Sequence, residues 1–272
     1  MPIDARTMSA EGLTHHTSSR FNEDLERIRA SVLEMGGLVE RQLQDALGGI
    51  DSGDSDVIAA VAAQELRINQ MERSIDEDCS RVLATRSPAA TDLRLLIAVL
   101  KTITDLERIG DEGEKVATIA VHMAGIERPR TRYREVRHIG ALVTAMVRDA
   151  LDAFARLDAE FAFKVARRDR TVDEEYESIH RQCITFMMED PRTIRRTLDV
   201  MWVVRALERI GDHAKNICEY VIYTVHGKDV RHTRIEDAEL EIRASVAERV
   251  AAAETVMELS PPSDKVPGQS GR

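Results

Sequence analysis

The sequence predicts an all-α protein built as a tandem duplication, with two antiparallel three-helix bundles in succession. Three observations carry this. The hexapeptide Leu-Glu-Arg-Ile-Gly-Asp occurs twice unchanged, at 106–111 and 207–212, and identical strings so placed mark an internal repeat. Apolar residues recur at helical spacing through six long segments, three in each repeat. Aromatic residues make up only 4 % of the chain, too few for the strand-forming segments of a sandwich or barrel.

The first helix is expected from about Ser18 to Ile50, on the spacing of Met35, Val39, Leu43 and Leu47, and Asp51-Ser52-Gly53 ends it. The second runs from about Ser55 to Ala84. Its stripe is Val61, Ile68 and Ile75, with Glu65, Glu72 and Cys79 interleaved, and Pro88 breaks it. The third, from about Thr91 to Ala124, reads Leu93, Ile97, Leu100, Ile103 or Thr104, then Glu107 and Asp111; Gly125 and Pro129 close the repeat. The fourth helix, from about Tyr133 to Arg156, carries Ile139, Val143, Val147 and Leu151, which match the first helix at a constant shift. At the same shift the fifth, from about Asp158 to Met188, sets Val165, Asp169, Val172, Tyr176, Ile179 and Cys183 against Val61, Glu65, Ile68, Glu72, Ile75 and Cys79. Asp190-Pro191 breaks the chain, and the sixth helix, about Thr193 to Val225, holds the second hexapeptide. Short breaks between long helices make neighbours antiparallel. The expected organisation is repeat one over 15–126, repeat two over 132–230 and a separate segment over 233–272. Within the last, 235–258 is expected as an exposed helix and the Gly/Ser-containing end as a disordered tail.

The repeated hexapeptide has chemistry. Glu107 and Asp111, and likewise Glu208 and Asp212, stand four apart, so each pair projects from one helix face. Both pairs continue an apolar stripe, where an ionised carboxylate is costly unless paired or ligated. Two together repel and require a cation, or one must hold a proton. Glu72 and Asp76 on the second helix form a third such pair. Carboxylates from neighbouring helices make an all-oxygen site, which favours magnesium, manganese, calcium or iron over copper. The Glu-x-x-His pattern of diiron oxygenases is absent. Gly110 and Gly211, inside helices, suggest close approach of another group, since a mid-helix Gly costs roughly 1 kcal/mol. His15-His16, His180 and His213 read as ordinary surface or core histidines, and Trp202 as packing. The alternative for any Glu-x-x-x-Asp pair is a solvated helix face with Arg or Lys neighbours.

The formal net charge of -10 disfavours nucleic acid and anionic membranes as direct partners. Cys79, Cys183 and Cys218 are too scattered for a disulfide framework and are expected as buried thiols in a reducing compartment. No apolar run suits a signal peptide or a membrane span, so the chain is expected in the cytoplasm. No nucleophile elbow, phosphate-binding Gly loop or Cys-His constellation occurs, so no enzyme activity is expected.

Several further segments carry a resemblance. They are Met35-Gly36-Gly37-Leu38-Val39-Glu40, Thr91-Asp92-Leu93-Arg94, the two hexapeptides, Met187-Met188-Glu189-Asp190-Pro191-Arg192-Thr193-Ile194, and Asn216-Ile217-Cys218-Glu219. Over about 15–232 the chain resembles the PhoU family. The resemblance implies tandem three-helix bundles, commonly a homodimer, that bind divalent or trivalent metal ions through Glu/Asp-x-x-x-Asp motifs. It also implies negative regulation of the phosphate-starvation response, through contact with the ATPase subunit of the phosphate ABC transporter and with a sensor histidine kinase. Membranes would be met only through those partners. Carried over, the metal ligands are Glu72, Asp76, Glu107 and Asp111 in repeat one, and Glu208, Asp212 and Asn216 in repeat two. Tyr176 and His180 stand where repeat one has Glu72 and Asp76, and Asn216 aligns with Lys115. The second site is therefore weaker, built with Asp169 or Asp173, or absent. The other reading of the same carboxylates is a metalloenzyme or metal-storage helical protein.

Overall fold

The computed structural model describes residues 19–52, 54–88, 90–124 and 134–259. Residues 15–18, Gly53, Gly125, Pro129 and the tail after 259 lie outside the described residues. The first repeat consists of α1 (Ser19–Ser52), α2 (Asp56–Arg86) and α3 (Ala90–Ala124). The second consists of α4 (Arg134–Arg156), α5 (Ala159–Ala166), α6 (Asp169–Glu189) and α7 (Ile194–His226). A further helix, α8 (Ile235–Leu259), follows. Among the described residues there is no strand.

The stripes expected for α1, α2 and α4 are buried, with Met35, Val39, Leu43, Val61, Ile68, Ile75, Ile139, Val143 and Val147 all inside. Cross-helix pairs fix the directions. Asp24 near the start of α1 meets Arg86 at the end of α2, and Asp45 near its end meets Gln64, so α1 and α2 are antiparallel. Glu40 of α1 pairs with Arg148 of α4, and Arg29 with the Ala155 carbonyl, so the two repeats also meet antiparallel.

Three expectations need correction. The fifth helix is interrupted at Arg167-Arg168. There Arg168 N bonds the Val165 carbonyl (2.9 Å) instead of Lys164, and Thr171 N bonds Arg168 (2.9 Å), so the turn tightens and the segment divides into α5 and α6. Both arginines reach off the helix, Arg168 to Asp149 and Arg167 to Glu239. The α3 stripe is rotated. Leu93 is exposed and Leu100 half-buried, while Leu96, Val99, Ile103, Leu106 and Ile109 are fully inside, because α3 packs on α1, α2 and α7 at once. Glu107 and Asp111 therefore flank the buried arc, both half-buried. Finally, α8 is not wholly exposed. Ile235, Ala238 and Ile242 are buried, and Arg243 of α8 pairs with Glu160 of α5.

The bundles share one core. Helices α1, α3, α4 and α7 form its centre, with α2 on one side and α5–α6 on the other. A local two-fold relation shows in two glycines. A Cβ at Gly36 would lie 2.5 Å from Leu151 of α4, and one at Gly140 would lie 2.9 Å from Leu47 of α1. Each glycine seats the partner repeat's leucine.

Candidate functional site

In the first repeat, α2 brings Glu65, Glu72 and Asp76 to the face on which α3 carries Glu107, Asp111 and Glu114. Turn spacing explains this, since positions three and four apart share a helix face. Glu65 is only 5 % exposed. Its Oε2 accepts a hydrogen bond from Gln42 Nε2 of α1 (2.8 Å). Its Oε1, like Gln42 Oε1, has no hydrogen-bond partner among the described residues. Burial raises the Glu65 pKa; the Gln42 bond works against this, while the charges of Asp111, Glu114 and Glu107 add to it. Burial likewise raises Glu72 and Glu107. Asp76 adds to the first, and Asp111 and Glu72 to the second, against the lowering field of Arg108. Thr104 donates a long hydrogen bond to Glu72 (3.5 Å). Gly110 has its reason here. A Cβ on it would stand 2.6 Å from Glu65 Oε2 and 3.2 Å from Gln42 Oε1. The close approach read from the sequence is made by these two side chains.

The second repeat builds its face differently. Asp169, the counterpart of Glu65, is buried and pairs with Lys215 Nζ of α7 at 2.6 Å. Glu208 pairs with Arg205 (3.4 Å), although its Oε2 lacks a partner among the described residues. Arg205 also lies over the ring of Tyr176 (5.9 Å), which in turn contacts His180 (5.7 Å). Desolvation raises Asp212, Asp169 adds to this, and Lys215 opposes it. Across eight matched positions, repeat one reads Glu65, Asn69, Glu72, Asp76, Thr104, Glu107, Asp111, Glu114. Repeat two reads Asp169, Asp173, Tyr176, His180, Arg205, Glu208, Asp212, Lys215. Six carboxylates without a cation face four carboxylates with two cations. The six make no ion pair with a Lys or Arg among the described residues. Nor, among those residues, are three His, Cys, Asp or Glu side chains gathered closely enough to hold one ion as they stand.

Asn216 turns away from this face. Its Nδ2 donates to Asp105 of α3 (3.1 Å), and His213 Nδ1 contacts the same oxygen (2.6 Å). Asp105 is buried at the seam between repeats. Tyr220 lies in its field, and desolvation first and the Asp105 charge second push the phenol pKa up. Beside this clamp Arg209 reaches buried Glu112 (3.2 Å), which also holds Lys115 (3.0 Å). Asn216 and His213 thus join the repeats. Trp202 also departs from expectation. It is 63 % exposed, because the buried side of α7 runs through Val203, Val204, Leu207, Ile210 and Ala214. The three cysteines are buried and free, as expected.

Glu65, Gln42 and Glu114 did not stand out as site members in the sequence. Glu65 left a signal, a carboxylate inside the Val61–Ile68 stripe, and Glu114 stands one turn after Asp111. Gln42 left none, since a polar residue beside Leu43 reads as a solvated position.

Among the described residues no helix is long and apolar enough to cross a membrane. The PhoU domain family model matches residues 32–120 and 136–221, once in each repeat. A Pseudomonas putida protein described as a phosphate-specific transport system accessory protein PhoU homolog is 49 % identical over 263 residues, covering 97 % of this chain and 98 % of its own length. The crystal structure of PhoU from Pseudomonas aeruginosa superposes with a TM-score of 0.74 at 53 % identity, covering 76 % of this chain and all of that one. The crystal structure of the phosphate transport system regulatory protein PhoU from Streptococcus pneumoniae gives 0.71 at 28 % identity, covering 77 % and 99 %. The Pseudomonas putida relative is named as an accessory protein and the Streptococcus pneumoniae one as a regulatory protein, neither as an enzyme. With the family's domain matched in both halves and near-complete mutual coverage, the chain belongs to the PhoU family.

Proposed function

We propose that this chain is a cytoplasmic negative regulator of the phosphate-starvation response and a modulator of phosphate uptake. It acts by protein contact, joining the ATPase subunit of the phosphate ABC transporter to a sensor histidine kinase. The observation that carries this is the 49 % identity, over 97 % of the chain, to a protein named for phosphate transport. Deleting the gene should switch on alkaline phosphatase in phosphate-rich medium. Normal repression in a deletion strain without a paralogue would overturn the reading. Pull-downs with the ATPase subunit and the kinase, with and without divalent metal, test the contacts.

The first repeat's carboxylate face is the proposed metal site. Glu72, Asp76, Glu107 and Asp111, with Glu65 and Glu114, supply the hard oxygen donors that magnesium, manganese, calcium or iron prefer. The buried Glu65 Oε1 and Gln42 Oε1, without partners among the described residues, support the fit. A bound cation would neutralise the mutual repulsion and bridge α2 to α3. Glu208 and Asp212 are the weaker set, and Asn216 is spent on Asp105. The chain is further proposed to be a homodimer. Ile194, Leu198 and Trp202, spaced by four along α7, leave an apolar face open (42, 42 and 63 % exposed) for a second copy to cover.

A further inference from the structure

The two repeats solve one electrostatic problem in two ways. Each buries a carboxylate from its outer helix under the hexapeptide helix, Glu65 beneath Gly110 and Asp169 near Gly211. In the first repeat the buried group meets, among the described residues, the Gln42 amide as its one hydrogen-bond donor, and Glu114 brings a further negative charge. In the second, the residue in the place of Glu114 is Lys215, and its ammonium sits 2.6 Å from Asp169. Asp212 and Glu219 lie in the same field. Desolvation alone would lower the Lys215 pKa, but the Asp169 hydrogen bond and the charges of Asp169, Glu219 and Asp212 outweigh it and raise the value.

We propose that Lys215 is the resident cation of the second repeat. Its ammonium occupies the place a divalent ion would take and confines divalent binding to the first repeat. This rests on the metal reading of the first repeat given above. A tethered ammonium has a standing advantage over a free ion, because its translational freedom is already lost and its effective concentration is high. A divalent ion entering the second repeat would have to expel Lys215 and leave a positive charge beside itself. Thr233, in the segment leading into α8, lines together with Lys215 one cleft that includes Asp212 and another that includes Asp169. The buried carboxylate of the second repeat is thus held permanently paired, while the face of the first changes with the cation supply.

The test counts Mn²⁺ bound to the full chain by equilibrium titration and follows its melting temperature with and without MnCl₂. Wild type should bind Mn²⁺ at the first repeat only, so Asp111→Asn reduces binding and Asp212→Asn does not. Lys215→Gln should melt at least about 5 °C lower without metal, because it strands a buried carboxylate. It should recover that loss on adding MnCl₂ and gain a second class of bound Mn²⁺, which Asp169→Asn removes again. The reciprocal change, Glu114→Lys, should abolish Mn²⁺ binding in the first repeat and raise the metal-free melting temperature. Lys215→Gln protein that binds no more Mn²⁺ than wild type and melts independently of MnCl₂ overturns the proposal, as does wild type that loses Mn²⁺ on Asp212→Asn. Should Lys215→Gln not fold, Glu114→Lys decides, and retained Mn²⁺ binding in that protein overturns it. If wild type binds no Mn²⁺ at all, the metal reading of the first repeat fails. A gain of binding by Lys215→Gln would still uphold the role of Lys215, and no gain would overturn both.

Discussion

At the scale of single residues, buried charge decides the chemistry of this protein. Glu219, on α7 one turn beyond Lys215, is nearly inaccessible, and burial pushes its pKa up to about 7. Lys215 and Arg231 oppose that rise, while Asp169 and Asp229 add to it. A carboxyl with a folded-state pKa above its unfolded value binds more protons when folded. Its contribution is fully present below the unfolded pKa, near 4.5, and is lost as pH rises through about 7. Burial raises Glu65, Glu72, Glu107 and Glu208 in the same direction. Metal-free protein should therefore melt at higher temperature at pH 5.5 than at pH 8. Glu219→Gln should flatten that dependence, removing on the order of 2–3 kcal/mol of it. Parallel melting curves for the two proteins across this range would show that Glu219 titrates normally. Asp105 illustrates the other solution, in which a buried carboxylate is held across the seam by Asn216 and His213 side chains of the other repeat.

At the scale of elements, the helices are specified by their spacing and seated by their glycines. Gly36 and Gly140 cost helix propensity, yet each opens the notch that takes a leucine from the other repeat. Gly36→Ala gains propensity but drives a methyl into Leu151, and overpacking of this kind costs about 1–3 kcal/mol. The melting temperature should fall by a few degrees. Leu151→Ala in the same chain should cost less than it does alone, because the added methyl then fills vacated space. Gly48→Ala is the control. Nothing lies within 4 Å of a Cβ there, so the substitution should stabilise by about 0.4–1 kcal/mol. Additive effects in the Gly36/Leu151 pair would refute the notch. The break between α5 and α6 belongs to this scale too. No Pro or Gly announces it, and the two arginines at the break bind Asp149 and Glu239 on other helices.

At the scale of the molecule, α3 and α7 lie against each other and the two repeats share one core. The seam is polar at Asp105–His213 and Glu112–Arg209 and apolar around them, which fixes the register of one repeat on the other. One apolar face, Ile194, Leu198 and Trp202 on α7, is left exposed. Trp202→Glu with Leu198→Glu should convert a dimer to a monomer in sedimentation. The melting temperature should change little, because Trp202 is 63 % and Leu198 42 % exposed in the single chain. A wild-type chain that is monomeric at micromolar concentration with metal present would refute the assembly. A double mutant that stays dimeric would place the interface elsewhere.

The duplication, the outer helix boundaries to within a few residues (though not the break that divides the fifth segment) and the acidic character of the candidate face were legible in the chain itself. Repetition and helical period are one-dimensional properties, and the carboxylates of the hexapeptides share a face by turn spacing alone. Which arc of a helix is buried was decided by tertiary structure. The α3 stripe read through Leu93 and Leu100 is turned because α3 packs against three neighbours, and Trp202 is outside because α7 buries the adjacent arc. Side-chain partners were likewise a matter of tertiary structure. Asn216 and Asp212 stand one turn apart on α7, yet one donates to Asp105 across the seam while the other faces Asp169. Glu114 and Lys215 occupy matched positions with opposite charge, a difference present in the sequence. Only the packing of α6 on α7 shows that Lys215 reaches the buried Asp169. Contact between residues distant in sequence depends on how helices lie against one another, and helical period carries no information about that.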